Sequence, residues 1–135
     1  MTTPADELRT AAQKLRTLAT AASTGRADEP TGQWAFTETR SDSGEGHGSG
    51  MLRATDNLNA EADPRLGKPL IHGSSGTRGR APSLVVQHGD YIAATDPTLG
   101  LLVADWLASA AEDADQIGPD HQALAVARQI NASTP

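Results

Sequence analysis

Cysteine is absent from this chain of 135 residues, and aromatic residues make up only 3% of it. The lack of cysteine excludes disulfides, cysteine nucleophiles and thiolate metal sites. Because aromatic side chains bury the largest apolar areas, a core here must consist mainly of leucine, valine, isoleucine and alanine. One domain is expected at this length. A hydrophobic fraction of 37% is low, which favours a partner subunit that buries further surface.

Long apolar runs are also missing. No run approaches the roughly 18 residues that a membrane span needs. The first residues lead into a charged stretch and lack the apolar region of a secretory signal. We therefore expect a cytoplasmic protein without a membrane partner.

The net charge of −6 is unevenly distributed along the chain. Residues 64–89 contain four bases and no acid, whereas residues 90–135 contain seven acids and one base, Arg128. An acidic chain is a poor general ligand for nucleic acid, so direct nucleic-acid binding is not expected. The asymmetry permits head-to-tail self-association.

The N-terminal segment has the pattern of a helix. Thr3 suits the cap, Pro4 the first helical position, and Asp6 and Glu7 the first turn. Apolar residues then recur at heptad-like spacing over about two heptads, fewer than a coiled coil needs. They are Leu8, Ala11, Leu15, Leu18 and Ala22. Two interpretations stay open: a helix that lies on its own core, or a dimerisation helix that self-associates through Leu8, Leu15 and Leu18.

The C-terminal segment predicts two helices. Asp96 suits a cap and Pro97 a first helical position, and Gly118 with Pro119 ends the first helix. The second helix should run from residue 120 to about 131, and the short link predicts an antiparallel pair. One apolar stripe follows the helical period of the first helix. It comprises Leu99, Leu102, Val103, Trp106, Leu107, Ala110, Ala114 and Ile117.

Several short segments between the helices predict strands. Residues 34–37 place Trp34 and Phe36 on one face, and residues 51–55, 69–72 and 83–87 are further candidates. Residues 88–90 resemble a turn, and residues 91–94 a short strand or a helical turn. Gly-rich loops at about 41–50 and 73–80 should be flexible.

We therefore predict an α+β fold, in which a small antiparallel sheet is packed by the N-terminal helix and the C-terminal antiparallel helix pair. Four residues are expected in its structural core: Trp34, Leu102, Val103 and Trp106.

The loop at residues 73–80 is the best candidate for a ligand site. Its glycines expose backbone N–H groups, and its hydroxyls and two arginines could contact a phosphate or a nucleotide. The order of residues matches neither the Walker A nor the dinucleotide-binding pattern. The alternative is a solvated hairpin loop. The residues concerned are Gly73, Ser74, Ser75, Gly76, Thr77, Arg78 and Arg80.

Other polar residues form no recognisable catalytic motif. His72 and His88 could approach each other beside Asp90, but their spacing matches no metal-ligand pattern, and we expect surface histidines, His47 and His121 included. No cofactor and no catalytic residue are predicted. Acids of the C-terminal helices could instead mimic DNA phosphates or simply form a solvated face. They are Asp105, Glu112, Asp113, Asp115 and Asp120.

Four segments near the two ends of the chain form a recognisable pattern: TPADELR at 3–9, GQW at 32–34, DYIAA at 90–94 and DPTLGLLVADWL at 96–107. In these segments the chain resembles small uncharacterised accessory proteins of actinobacterial phages and prophages. The resemblance as a whole extends over about half of the chain, and residues 38–82 lie outside it. The resemblance implies a setting in the host cell cytosol and no particular activity.

Three functions follow as hypotheses. The first is a non-catalytic accessory protein that self-associates through its helices and contacts a host or phage protein. The second is a small-anion or nucleotide binder that uses residues 73–80. The third is an acidic inhibitor that mimics DNA toward a host nucleic-acid-binding protein.

Overall fold

The computed structural model describes residues 1–23, 32–40, 49–55, 68–70 and 84–133. The chain divides into two compact units, a helical unit of Met1–Ala22 with Pro97–Pro135 and a sheet unit of Ser23–Asp96. The elements, in chain order, are α1 (Pro4–Ala22), β1 (Trp34–Arg40), β2 (Ser49–Ala54), β3 (Lys68–Pro69), β4 (Leu84–Val85), α2 (Val86–Ala94), α3 (Pro97–Ile117) and α4 (His121–Ala132).

Helix α1 begins at Pro4, as predicted, behind a reciprocal cap. The Asp6 backbone N–H donates to the Thr3 hydroxyl oxygen at 3.1 Å, and the Thr3 backbone N–H donates to the Asp6 carboxylate at 3.2 Å. Each residue thus satisfies a backbone donor that the first helical turn leaves open. The cap defines the start of the helix from local sequence alone.

The helical unit is a bundle in which α1 packs against both α3 and α4. The two C-terminal helices contact each other much less than either contacts α1. Alanine dominates the shared core, and small side chains allow helix axes to approach closely. The buried residues of this core are Leu8, Ala11, Ala12, Leu107, Ala110, Ala111, Ala123, Leu124 and Ala127.

Ion pairs join α1 to α3. Arg9 bonds to Asp115 of α3 and also lies 3.5 Å from Asp6 on its own helix. One heptad further along α1, Arg16 pairs with Asp105 at 2.8 Å. The partners ascend along α1 while they descend along α3, so these two helices run antiparallel.

Polar contacts also join α1 to α4. Arg128 donates to the Glu7 carboxylate at 2.8 and 3.3 Å. The Asn131 side-chain amide donates to the Glu7 backbone oxygen at 3.1 Å. Lys14 reaches the last carbonyls of α4, where it satisfies acceptors that a helix C-terminus leaves open. Both ends of this contact therefore have a defined register.

The sheet unit contains an antiparallel sheet with β2 at its centre, paired with β1, β3 and β4. Phe36 lies opposite Leu52, and Trp34 opposite Ala54, with a register shift between Glu38 and Arg40. Alternate residues share a face, so these four side chains lie on one side. Leu52 and Ala54 are buried, which makes this the covered side of the sheet.

Helix α2 covers that side and corrects two predictions. Of the predicted strand at 83–87, the described residues form a strand at Leu84–Val85, and the chain is helical from Val86 to Ala94. The predicted turn at 88–90 lies inside this helix. Gly89 of α2 is buried against the Phe36 ring, and a Cβ there would overlap it. Tertiary packing therefore outweighs the strand preference of the valines.

The α+β class is confirmed, and so are strands at 34–37 and within 51–55, although β1 and β2 extend a few residues further. The predicted strand at 69–72 is described only as far as residue 70. Among the described helices, none combines the length and the apolar composition that crossing a bilayer requires.

Candidate functional site

A row of large apolar side chains lies exposed along the first half of α3. Leu99 is 41% exposed, Leu102 62% and Trp106 43%. These three residues, called the apolar row below, follow the i, i+3, i+7 spacing of one helix face. The prediction that Leu102 and Trp106 belong to the structural core is therefore wrong. Val103 is partly buried against the core, and Trp34 is partly buried in the sheet unit.

The apolar stripe of α3 has a part that is buried in the bundle and a part that is exposed. Leu107 and Ala110 are buried in the bundle, and Val103 and Ala114 pack against it. The apolar row lies on the flank of this buried face. Leu102 and Trp106 thus keep much of their apolar surface exposed beside the buried part of the stripe.

The three α1 residues that the sequence predicts for self-association differ in how far they are buried. Leu8 is completely buried in its own bundle, so its predicted role in self-association is wrong. Leu15 is partly buried, and a Cβ on Gly100 of α3 would lie 3.9 Å from its Cδ1 atom. Leu18 is 47% exposed and is the one of the three that faces solvent. Helix α1 thus lies on its own core, as the alternative interpretation held.

An open groove of about 280 Å³ lies at the C-terminal end of α3. Its floor follows one face of the helix, and the turn into α4 closes its end. Gly118 makes this turn with a φ of 95°, a conformation that side chains with a Cβ disfavour. The groove, as this site is called below, is lined by Trp106, Ser109, Ala110, Asp113, Ile117, Gly118, Pro119 and Asp120.

Asp113 gives the groove its charge. It is exposed, and among the residues that the structure describes it forms no ion pair. Asp120 also lines the groove, but its two carboxylate oxygens accept from Gln122 and Ala123 at the start of α4. Trp106 contributes an indole two helical turns before Asp113. An aromatic ring and an unpaired carboxylate along one helix face suit a cationic side chain.

The acids proposed as a DNA mimic do not form a free array. Asp105 and Asp115 pair with arginines of α1, and Asp120 caps α4. Only Glu112 and Asp113 of the five have no such bond to another described residue. The arrangement serves mainly to join the helices of the bundle, so it favours the structural role of these acids.

Two further predicted sites lie largely outside the described residues. The loop at 73–80, with Gly73, Ser74, Ser75, Gly76, Thr77, Arg78 and Arg80, is outside them, as are His47 and His72. The anion-binding function of that loop stays a prediction. His88 and Asp90 are both exposed on α2. Within the described ranges, no group of three or more metal-ligating side chains occurs.

The sequence does not reveal the groove by any motif. Two signals were available: Trp106 lies at the margin of the apolar stripe, and the Gly118-Pro119 pair predicts a sharp turn beside Ile117. Neither indicates that Asp113 and Trp106 line the same concave surface.

Comparisons with known proteins assign no relative to the chain. No protein-family model matches the sequence. No curated protein shows significant similarity to it, and no solved structure matches its fold significantly.

Proposed function

We propose that this protein is a non-catalytic interaction module of phage or prophage type that self-associates through the apolar row of α3. The observation that carries the proposal is the exposure of Leu99, Leu102 and Trp106 on one helix face. Large apolar side chains in a contiguous exposed patch are typical of interaction surfaces. The phage setting rests on the resemblance of the two ends of the sequence.

A second copy of the chain is the partner that fits the row best. Its i, i+3, i+7 spacing equals the alternation of core positions in paired helices. A twofold axis brings the same face of two copies together, so one row can cover the other. Residues 97–104 carry no charge. Two copies therefore meet over the first two turns of α3 without burying a like-charged pair.

The lean composition supports the same conclusion. The bundle core is mostly alanine, which contributes far less burial per residue than leucine or tryptophan. Three large apolar side chains of α3, those of Leu99, Leu102 and Trp106, lie in the row rather than in the core. A contact between two rows would add the burial that the isolated bundle lacks.

The test is sedimentation equilibrium across micromolar concentrations. Leu102→Glu places a charge in the middle of the row, and we expect it to weaken association about tenfold or more, since a buried unpaired charge is strongly disfavoured. The matched control is Gln116→Glu, which adds the same charge at an exposed position of α3 off the row. We expect it to associate like the wild type.

Circular dichroism melting should show that both variants fold, because residue 102 is mostly solvent-exposed. A wild-type chain that stays monomeric at all concentrations would contradict the proposal. Equal weakening by Leu102→Glu and Gln116→Glu would also contradict it, because the effect would then come from net charge and not from the row.

A further inference from the structure

We infer that the groove at the C-terminal end of α3 binds an arginine or lysine side chain of a protein partner, between the Trp106 indole and the Asp113 carboxylate. The inference rests on the proposed interaction function and adds a second surface with its own chemistry. This surface takes a basic side chain, whereas the apolar row takes a second copy, and Trp106 is shared by the two, at the end of the row that adjoins the groove.

The size and shape of the groove fit one side chain. Its volume of about 280 Å³ is at the small end of the range for ligand pockets, roughly 300–1,000 Å³. It is open along the helix, so an extended segment can lie across it and insert one residue. Ile117 is 85% exposed and offers an apolar wall for the methylene groups that lysine and arginine carry.

The charges favour a cation at this position. Asp113 forms no ion pair with any described residue, and Glu112 beside it is exposed. Arginine and lysine are attracted to the face of an indole, and more strongly when a carboxylate is also in reach. Trp106 and Asp113 both line the groove, two helical turns apart, so a long basic side chain that lies along it can pack its stem on the indole and place its charge beside the carboxylate.

The lysine and arginine side chains of the helical unit all have partners away from the groove. Arg9, Arg16 and Arg128 pair with carboxylates. Lys14 donates to two carbonyl oxygens of α4. The four lysine and arginine residues of this unit therefore all have partners elsewhere, and the proposed occupant of the groove is a basic side chain of a protein partner.

The test uses a blocked five-residue peptide, four alanines with one central arginine, against the full-length chain. Binding is followed by the indole N–H resonance of Trp106, identified by its loss in Trp106→Leu. We expect saturable shifts with a dissociation constant on the order of millimolar, since one exposed charge pair and one aromatic contact each contribute modestly. Raising the salt concentration should weaken the binding.

Two variants with the same charge change separate a specific site from general attraction. We expect Asp113→Asn to weaken peptide binding by about two- to fivefold, and Glu112→Gln, which alters a residue outside the groove, to have little effect. A peptide with glutamine in place of arginine should not bind. Equal effects of the two variants, or equal shifts with the glutamine peptide, would overturn the inference.

The experiments can refute the proposal for the groove and the proposal for the apolar row independently of each other. Asp113→Asn should leave self-association in sedimentation equilibrium unchanged, and Leu102→Glu, which alters the row at a residue outside the groove lining, should not weaken peptide binding. If the chain proves monomeric but binds the arginine peptide in an Asp113-dependent way, the groove is supported and the row is not. Loss of self-association in Asp113→Asn would overturn the assignment of the two surfaces to different partners.

Discussion

The ammonium group of Lys14 in α1 lies 2.9 Å from the backbone carbonyl oxygen of Ile130 in α4. It also donates to the Asn131 carbonyl at 3.1 Å. The last carbonyls of a helix have no partner within the helix, and here a side chain of another helix satisfies two of them. One lysine thus holds the C-terminal end of the chain on the bundle.

Replacing Lys14 with methionine should test this contact. The variant keeps a chain of similar length but leaves the Ile130 and Asn131 carbonyls without their donor. We expect the free energy of unfolding to fall by about 1–2 kcal/mol. Urea unfolding measures the change. Gln13→Met is the control, because the Gln13 side chain is exposed and reaches only Thr17 on its own helix. A loss as large in the control would argue against the lysine contact.

Gly89 should tolerate no side chain. Its Cα hydrogen faces the Phe36 ring, and a Cβ would overlap several ring carbons. We expect Gly89→Ala to destabilise the sheet unit by about 1–3 kcal/mol, the usual cost of overpacking, despite the higher helix propensity of alanine. Thermal melting measures the effect. The double variant with Phe36→Leu should recover part of the loss, and an unchanged melting temperature in Gly89→Ala would contradict the close packing of α2 on β1.

Gly118 is sensitive for a different reason. No atom lies within 4 Å of a Cβ built there, but its φ of +95° disfavours every residue with a Cβ. We expect Gly118→Ala to cost about 1–2 kcal/mol through the backbone alone. Gly118→Asn should cost less, since asparagine enters this region more readily than alanine. Denaturant unfolding of both variants is the measurement, and an alanine variant as stable as wild type would contradict the turn.

Substitutions in the apolar stripe of α3 should fall into two classes according to how much stability they remove. Leu107 is completely buried, so Leu107→Ala should cost about 2–5 kcal/mol. Leu102 is 62% exposed, so Leu102→Ala should change the stability of the dilute monomer by less than about 1 kcal/mol. Unfolding at low protein concentration compares them without a contribution from self-association. Equal losses would mean that both leucines belong to one core.

Acid should weaken the contact between α1 and α4. A hydrogen bond from the Arg128 side chain, and then the charge of its guanidinium, lower the pKa of Glu7 below its ordinary value of 4.5. The Thr3 hydrogen bonds likewise lower the pKa of Asp6 below 3.8. A carboxylate with a lowered pKa stabilises the folded state fully above its unfolded pKa. This stability is lost as the pH falls through the folded pKa.

We therefore expect stability to decline below about pH 4.5 as Glu7 takes up a proton. Glu7→Gln should lower stability at pH 7 and make the decline in acid shallower. Urea midpoints at pH 7 and pH 3 measure both effects. Glu112→Gln is the control, since Glu112 pairs with no described residue. A decline of unchanged steepness in Glu7→Gln would contradict the role of the ion pair.

The helix boundaries were predictable because they depend on neighbours in the chain. The Thr3-Pro4 start, the Pro97 start and the Gly118-Pro119 stop all follow from backbone donors, fixed φ values and glycine freedom over a few residues. The α+β class followed in the same way from the spacing of apolar residues. Each of these signals depends only on residues within one or two helical turns, so the local sequence is sufficient to predict it.

Tertiary structure decided which apolar residues are buried and which acids are paired. Leu102 and Leu107 belong to the same stripe, yet one is exposed and the other is buried, because α1 and α4 together cover only part of α3. Residues 86–90 are helical because the helix places Gly89 on Phe36. Asp113 and Trp106 share a groove because the turn at Gly118 closes it. Each outcome depends on partners distant in sequence, and local propensity contains no information about them.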